Sequence, residues 1–390
     1  MAPPPADDGE TGPPPISVQA VEGFDQVSRE DWDALANPAD AEFDPFLSWD
    51  FLEALEASGC VGEDAGWLPR HLIATGPSNK LVGALPLYAK THSMGEYVFD
   101  HAWANAYERA GGQYYPKLLT AVPFPPVTGR RIFAESPSLR HALAQTACEL
   151  TERWGCSGWH VNFPDADTAA ALNAAGLLDR VDRQFIWSNR GYGNYDAFLA
   201  DLSSRKRKAL RKERATAQDG IEIEHLSGDA LRPEHWDVFY ACYQETGSRK
   251  WGYPYVTRTF FRLIAERMPD ALLLIVAERD GAPIAGALNF IGGDTIYGRY
   301  WGCTEDVPFL HFELCYHQAV DFAIEHKLAR VEAGAQGQHK IARGYEPVAT
   351  WSAHWIPDDG FRAAIERYLE AERLETGMEI ATRLVMDLCG

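Results

Sequence analysis

The chain has 390 residues, which exceeds one ordinary folding core and suits two domains. Its 46% hydrophobic and 24% charged residues are typical of a globular protein, not of a disordered one. The formal net charge of −20 argues against a surface that coats nucleic acid, and the longest apolar run, 271–277, is too short to span a membrane.

Residues 1–15 are acidic and rich in proline, and they lack the basic and apolar regions of a signal peptide. We predict a disordered arm there, a cytoplasmic location and no insertion into a membrane. The chain has 7 scattered cysteines, an odd number, without a CxxC pair. This pattern favours buried reduced thiols over a disulfide framework, and we expect no metal site.

The next part of the chain, 16–190, alternates strand-like and helix-like segments. Ser48 can cap the first of its clear helices. The predicted elements are a helix over 49–57, a strand hairpin over 70–75 and 81–88, a helix over 137–153, a strand over 159–163 and a helix over 166–175. Such alternation is typical of a mixed α/β domain.

A basic helical segment, 191–219, follows as a linker. Residues 205–214 hold 7 Lys or Arg and 1 acid. A solvated helix between two domains explains such a run, although a solvated helix normally mixes both signs of charge. Arg207, Arg211 and Arg214 recur at i, i+4 and i+7, so they share a helix face that suits a row of phosphates. Both interpretations stay open.

The second domain, 220–360, contains a clear antiparallel meander, because Asp280-Gly281 is a strong hairpin signal. The predicted elements are a strand over 221–225, a helix over 234–246, a loop over 248–253, a helix over 259–267, strands over 271–279, 283–291 and 295–301, and a helix over 309–326. A helical tail is predicted over 361–390.

The closing unit of this domain, 328–347, is the most informative stretch. A strand over 329–333 ends near Glu332, and a short helix over 339–343 stops at Gly344. Glycine at a helix end can take the left-handed conformation that lets the chain turn back. A last strand is predicted over 351–355.

This order of strands and helices resembles the GNAT acyltransferase fold, and long blocks resemble the FemAB-like family of peptidoglycan biosynthesis or recognition proteins. The blocks are FLSWDFLEALE (46–56), YYPKLLTAVPFPPVTG (114–129), SRKWGYPY (248–255), YGRYWG (297–302), FLHFELCYHQA (309–319) and EAGAQGQHKIARGYEPV (332–348). The resemblance implies an α/β (α+β) fold class, with tandem GNAT-like (acyl-CoA N-acyltransferase) domains whose mixed central sheets are flanked by helices.

The resemblance also implies a reaction. Fem transferases move an amino acid from aminoacyl-tRNA to the amine of a peptidoglycan precursor, and a lysine four residues before a glycine lies at their reaction centre. Lys340 precedes Gly344 by four and inherits that role. This sequence lacks the long coiled-coil arm of those transferases, so the donor stays open between aminoacyl-tRNA and acyl-CoA. The acceptor is an amine-bearing peptide or cell-wall precursor, and no cofactor is expected.

The stretch 303–313 corresponds to the loop that holds the pyrophosphate of acetyl-CoA in ordinary GNAT enzymes. It has no glycine pair, and Glu305 and Asp306 would repel a diphosphate. This argues against acyl-CoA. An acyl-CoA-dependent N-acyltransferase with an unusual phosphate loop, and a non-catalytic recognition module of the same fold, remain as alternatives. The oligomeric state is left open.

Acyl transfer to an amine requires a neutral amine, a stabilised oxyanion and a protonated leaving atom. Lys340 is the predicted fixed positive charge, and Glu332 or His339 can accept the ammonium proton. Glu313 and His311, in the first turn of the helix over 309–326, are further catalytic candidates. If Lys340 is instead structural, Glu332 is its predicted partner.

Strand alternation places Arg299 on the same face as Tyr297 and Trp301, where a charge needs a partner. The loop 248–253 is either a plain surface loop or a site for a phosphate or carboxylate. The substrate-binding candidates are Arg299, Trp301, Arg249, Lys250, Trp251, Tyr345 and Arg343. The phosphate-binding candidates are Arg207, Arg211 and Arg214.

Overall fold

The computed structural model describes residues 16–250, 254–334 and 337–388, so the arm predicted over 1–15 lies outside the described residues. The strands are β1 (Ser17–Val21), β2 (Trp67–Pro69), β3 (His71–Thr75), β4 (Leu81–Leu85), β5 (Tyr88–Lys90), β6 (Lys117–Thr120), β7 (Phe133–Ala134), β8 (Trp159–Asn162), β9 (Leu178–Ser188), β10 (Glu222–Leu226), β11 (Leu272–Arg279), β12 (Ala282–Gly292), β13 (Thr295–Cys303), β14 (Arg330–Glu332) and β15 (Glu346–Trp355).

The helices are α1 (Arg29–Ala36), α2 (Trp49–Ala57), α3 (His101–Arg109), α4 (Pro137–Arg153), α5 (Ala166–Ala174), α6 (Tyr195–Asp201), α7 (Ser204–Ala217), α8 (Pro233–Lys250), α9 (Arg258–Arg267), α10 (Leu310–Phe312), α11 (Gln318–Glu325) and α12 (Asp359–Leu388). A π-helical turn, Glu313–His317, joins α10 to α11, and Gln338–Arg343 forms a 3-10 helix. Within the described ranges, no helix has both the length and the apolar composition needed to cross a membrane.

Local sequence signals are confirmed where the backbone itself demands a residue type. Ser48 Oγ accepts a hydrogen bond from the Phe51 N–H at 3.3 Å, so the predicted cap begins α2. Asp280 and Gly281 have φ angles of 52° and 74° in the turn that joins β11 to β12. Both angles are positive, as this hairpin turn requires.

Three predicted elements differ in the structure. The loop over 248–253 is wrong for its first residues, because α8 continues to Lys250. A Cβ added at Gly247 would lie 2.8 Å from Pro254 Cγ, so close packing retains a glycine inside this helix. The basic segment is two helices, since Ser203 Oγ caps α7 by accepting from Lys206 N at 3.4 Å. The helix over 309–326 is interrupted by the π-helical turn.

The strands form one sheet of 4 strands and one of 11. The small sheet has the order β1-β3-β4-β7, and the large one the order β10-β11-β12-β13-β14-β9-β15-β8-β6-β5-β2. Within the described ranges, the parallel pairs of the large sheet are β13–β14 and β6–β8, and its other pairs are antiparallel. Each half of the chain therefore contributes one parallel pair beside an antiparallel set.

The two halves exchange strands at the centre of the large sheet. Strand β9, which belongs to the first half by sequence, pairs with β14 and β15. Strand β15, from the second half, pairs with β9 and β8. Backbone hydrogen bonds thus run without a gap between the halves. We retain the boundaries 16–190, 191–219, 220–360 and 361–390 as a proposal for two halves that share one sheet.

A β-bulge interrupts β13 at Arg299. Tyr300 lies opposite Leu288 and Gly298 lies opposite Asn289, which leaves Arg299 as the extra residue. A bulge shifts the alternation of side chains by one position, so residues on either side of it no longer follow the regular pattern.

The bulge makes the predicted shared face wrong for Trp301, whereas the Arg299 guanidinium still lies 5.3 Å from the centre of the Tyr297 ring. Tyr297 and Tyr300 both pack against the aromatic core that contains Phe46, whereas Trp301 packs against the core under α11. Side-chain alternation alone placed these residues on one face, and the extra residue separates Trp301 from the other two.

The core that contains Phe46 belongs to both halves. The Phe51 ring of α2 lies 5.7 Å from Phe260 of α9 and 5.6 Å from Phe290 of β12. Aromatic side chains of this size contribute large apolar areas to a core. The first half is thereby packed against β12 and β13 next to Tyr297 and Arg299, where the predicted site residues lie.

Candidate functional site

Strands β13 and β14 run side by side and then part, and the site lies where they separate. Their parallel pairing ends at Tyr297 opposite Glu332. Arg299, in the bulge just beyond, directs Nη2 to Glu332 Oε2 at 3.0 Å and Nη1 to the Glu332 carbonyl oxygen at 3.3 Å. The Arg299 side chain is 2% exposed. The partner that this buried charge requires is therefore Glu332.

Lys340 lies on the 3-10 helix Gln338–Arg343, which ends at Gly344 in the left-handed conformation, φ 82°. Lys340 is 1% exposed, and its Nζ donates to the Gly334 carbonyl oxygen at 2.6 Å. Burial, with the nearby Arg299 charge next in importance, lowers the pKa of Lys340 to about 7, while Cys315 and Glu332 oppose this shift. The predicted direct Lys340–Glu332 pair is wrong, because Arg299 occupies that carboxylate.

His339 lies beside Lys340 and is exposed. Its Nε2 is 3.0 Å from the Tyr316 hydroxyl. Partial burial of the ring, with the Arg343 charge next in importance, lowers the pKa of His339. The imidazole is therefore neutral at pH 7 and can act as a hydrogen-bond acceptor or base.

Glu313 and His311 do not join Lys340. Glu313 is fully buried in the π-helical turn and accepts hydrogen bonds from Arg214 at 2.9 Å, Gln218 at 2.7 Å and Gln318 at 2.7 Å. A carboxylate with so many donors is already neutralised. The His311 ring packs edge-on against Trp301 at 5.2 Å, on the side of the core under α11.

Arg343 and Tyr345, two of the predicted substrate-binding residues, are built into the interior. Arg343 donates from Nε and Nη2 to the two oxygens of Glu213, at 2.9 and 2.6 Å, and its guanidinium lies 3.5 Å from the centre of the Phe312 ring. Tyr345 is 1% exposed, and its ring lies 5.6 Å from that of Tyr316. Both side chains are therefore buried beside the 3-10 helix that carries Lys340.

The predicted phosphate row is wrong in its geometry. Arg214 points inward, bonds Glu313, and donates to Asp321 Oδ2 at 2.6 Å. Arg207 donates to backbone carbonyl oxygens at the end of α6, and Arg211 pairs with Asp196 at 2.8 Å. The sequence spacing identified one helix face correctly, but part of that face packs against the protein.

Four cations of α7 face solvent, and three of them, Arg205, Lys208 and Lys212, lie at i, i+3 and i+7, while the fourth, Arg211, is paired with Asp196. Within the part of the chain that the structure describes, these three make no ion pair. Of the predicted loop residues, Trp251 lies outside the described residues, and the side chains of Arg249 and Lys250 are not described.

The stretch 303–313 leads into α10 without a glycine turn. Glu305 forms an ion pair with Arg279. Phe309 precedes α10 with φ 65°, in the left-handed region, and no side chain caps this helix. A bulky residue thus stands where a diphosphate would need close approach to backbone N–H groups.

Two features of the first half were missed by sequence reasoning. Asp44 lies near the Arg299–Glu332 pair, and its only sequence signal is an acid before proline at the start of a helical turn. Lys117 is fully buried in β6 and donates to Ser93 at 2.9 Å, Glu96 at 2.7 Å and Asp100. The sequence signal for Lys117 is a charged residue at the start of the otherwise apolar strand KLLT. Among the described residues, no group of side chains has the arrangement of a metal site.

Comparison with known proteins shows a similar fold in several solved structures. The chain is similar to the crystal structure of FemX, at 12% identity over 87% of this chain and 98% of that one, with a TM-score of 0.53. It is also similar to a conserved protein of unknown function from Bacteroides thetaiotaomicron, at 12% identity over 84% of this chain and 96% of that one, TM-score 0.50.

L-PGS from Bacillus licheniformis aligns at 10% identity over 85% of this chain and 98% of that one, with a TM-score of 0.49. No curated protein matches the chain. The FemAB-like family model, described as peptidoglycan biosynthesis/recognition, matches residues 23–385. The fold is α/β, with mixed sheets flanked by helices, and the chain belongs to the FemAB-like family.

Proposed function

We propose that this protein is an N-acyltransferase that moves an aminoacyl group to the amine of a peptide or cell-wall precursor. The observation that carries the proposal is Lys340, a 1% exposed lysine at the point where β13 and β14 part. A lysine buried without a carboxylate partner is costly for a fold. A reaction that develops a negative charge beside Lys340 would use the positive charge of its ammonium group.

The pKa of Lys340, about 7, suits two tasks in acyl transfer. Its ammonium form stabilises the oxyanion that forms when an amine attacks an ester carbonyl. The same group, titrating near neutral pH, can donate a proton to the leaving oxygen. His339, with its lowered pKa, is a neutral neighbour that can accept one.

Glu332 supports recognition of an ammonium group. Arg299 holds its Oε2 at 3.0 Å, while Oε1 has no hydrogen-bond partner within the described ranges. The arginine fixes the direction of the carboxylate, and the second oxygen remains available to an N–H donor. An amine-bearing acceptor fits such a group.

The exposed basic face of α7, formed by Arg205, Lys208 and Lys212, favours a polyanionic donor. Cations that neutralise several phosphates release counterions, so binding weakens steeply with salt. The non-glycine stretch before α10 argues against the diphosphate of acyl-CoA. We therefore propose aminoacyl-tRNA as the donor and the cytoplasm as the place of reaction.

The test is an acyl-transfer assay with charged tRNA and acetyl-CoA side by side, with an amine-bearing peptide precursor as the acceptor. We expect acyl transfer from charged tRNA and none from acetyl-CoA. Changing Arg205, Lys208 and Lys212 together to Gln should weaken tRNA binding and flatten its salt dependence. The matched control changes Arg211 alone, since Asp196 already pairs with it.

Transfer from acetyl-CoA alone would instead establish the acyl-CoA-dependent alternative. Tight acceptor binding without transfer from either donor would establish a recognition module. Unchanged tRNA binding in the triple variant would show that α7 only links the two halves.

A further inference from the structure

We propose that Asp44, supplied by the first half of the chain, is the general base that takes the proton from the attacking amine. This inference rests on the proposed acyl transfer and adds a residue from outside the second half. It follows from the position of Asp44, from its free oxygen and from the charges around it.

Asp44 is held firmly by its own surroundings. Asn37 donates to the Asp44 carbonyl oxygen at 3.0 Å and accepts from the Asp44 N–H at 2.8 Å. Asp44 Oδ1 accepts from the Phe46 N–H at 3.0 Å, capping a short 3-10 helix. Asp44 Oδ2 has no hydrogen-bond partner within the described residues. One oxygen is therefore an anchor and the other is available.

The segment that carries Asp44 lies against the second half. A Cβ added at Gly292 would lie 2.4 Å from Pro45 Cδ and 2.8 Å from the Phe43 carbonyl oxygen. The Phe46 ring packs edge-on against Tyr297 at 5.2 Å, and the Arg299 guanidinium lies 5.7 Å from its centre. The segment that carries Asp44 thus lies along the first residues of β13, from the β12–β13 turn at Gly292 to Tyr297, just before the bulge at Arg299.

Space at Asp44 Oδ2 depends on a glycine. A Cβ added at Gly129 would lie 3.0 Å from this oxygen and 3.3 Å from Arg131 Nη1. The Arg131 guanidinium donates hydrogen bonds to three backbone carbonyl oxygens, those of Asn162 at 2.9 Å, Arg130 at 3.0 Å and Val127. The cation therefore faces Asp44 without forming an ion pair with it.

The charged and titratable groups that face Asp44 come from three elements. Arg131 and Arg130 precede β7, Glu332 ends β14, and Tyr297 lies on β13. Burial raises the pKa of Asp44 to about 6, Arg131 and the Phe46 N–H lower it, and Glu332 raises it. A carboxylate of this pKa is ionised at pH 7 and more basic than an ordinary one.

Asp44 suits proton transfer better than Glu332. Arg299 already holds one oxygen of Glu332 at 3.0 Å and its backbone carbonyl oxygen at 3.3 Å, so this carboxylate is fixed in its direction. Glu332 is then the group that orients the ammonium, and Asp44 is the group that receives the proton. Two carboxylates with different surroundings commonly divide such roles.

The amine loses one proton to solvent on binding, and its nitrogen attacks the ester carbonyl carbon, forming the C–N bond. The second N–H proton moves to Asp44 Oδ2. The ester C–O bond then breaks, and the leaving oxygen takes a proton from the Lys340 ammonium. Exchange with solvent returns the proton from Asp44 to Lys340.

The test uses the full-length chain with Asp44→Asn and Asp44→Ser, the second of which keeps a side-chain oxygen that can cap the Phe46 N–H. We expect kcat/KM to fall by about 10²–10⁴-fold, the usual contribution of a general base. In the parent, kcat/KM should fall as the pH decreases through about 6, and both variants should lose this dependence.

Asp165→Asn is the matched control, because Asp165 also caps a helix, accepting from Thr168 N at 2.7 Å, and also faces Arg131. It should retain the activity and the pH profile of the parent. Parent activity and an unchanged acidic limb in both Asp44 variants would overturn this inference alone. A parent protein inactive with both charged tRNA and acetyl-CoA would overturn the proposed function and this inference together.

Discussion

Arg299 Nη2 lies 3.0 Å from Glu332 Oε2, so the carboxylate that ends β14 belongs to an arginine on the neighbouring strand and not to Lys340. The bulge in β13 creates this pair, because the extra residue turns Arg299 toward the separating ends of the strands. Lys340 is left with one backbone carbonyl as its partner. A lysine placed in this way suits a catalytic role better than a structural one.

The first prediction concerns catalysis by Lys340. Lys340→Met should fold normally and lose about 10²–10³-fold in kcat, since one oxyanion donor typically contributes this much. The parent kcat should also fall as the pH rises through about 7, because the deprotonated Lys340 side chain cannot donate a proton to the leaving oxygen. Steady-state kinetics with circular dichroism as the folding control would measure this. A folded variant with undiminished turnover would exclude Lys340 from the mechanism.

The second prediction concerns stability and the same lysine. Its folded pKa, about 7, lies below the unfolded value near 10.4, so between these values the unfolded chain binds more protons. The free energy of unfolding should therefore rise with pH across this window, by at most about 1.4 kcal/mol per unit. Denaturant titrations from pH 7 to 10 should show a smaller rise in Lys340→Met. Parallel curves would contradict a buried, depressed lysine.

The third prediction tests the buried ion pair. Arg299→Met leaves Glu332 with an uncompensated charge and should lower the free energy of unfolding by about 3–5 kcal/mol. Adding Glu332→Gln should recover a large part of that loss, because the stranded charge is removed. A double-mutant cycle measured by urea unfolding gives the coupling. Simple additivity of the two changes would indicate that the pair contributes no direct interaction.

The fourth prediction concerns Lys117, whose three hydrogen bonds tie the segment over 93–100 to β6. Lys117→Met should lower the free energy of unfolding by about 3–5 kcal/mol, since Glu96 and Asp100 are buried and would lose their cation. Lys80→Met is the matched control. Its ion pair with Glu135 is exposed, and we expect a change below about 1 kcal/mol. Equal effects would mean that the buried network adds nothing.

The sequence by itself determined the local elements and the family. Ser48 begins a helix, Asp280-Gly281 turns a hairpin and Gly344 ends a helical turn, because each position satisfies a backbone requirement that no distant contact alters. Lys340 was likewise placed on its short helix by spacing alone. Such features depend on neighbours in the chain.

Only the tertiary structure decided which charges meet. One extra residue in β13 moves Trp301 off the predicted face and leaves Arg299 beside Glu332, and packing of α7 turns Arg214 inward to Glu313. Asp44 comes to the site from a segment about 290 residues away in sequence, a separation that periodicity cannot bridge. The exchange of β9 and β15 is equally a long-range pairing. Partner choice among buried charges depends on three-dimensional distance and burial, which sequence spacing does not encode.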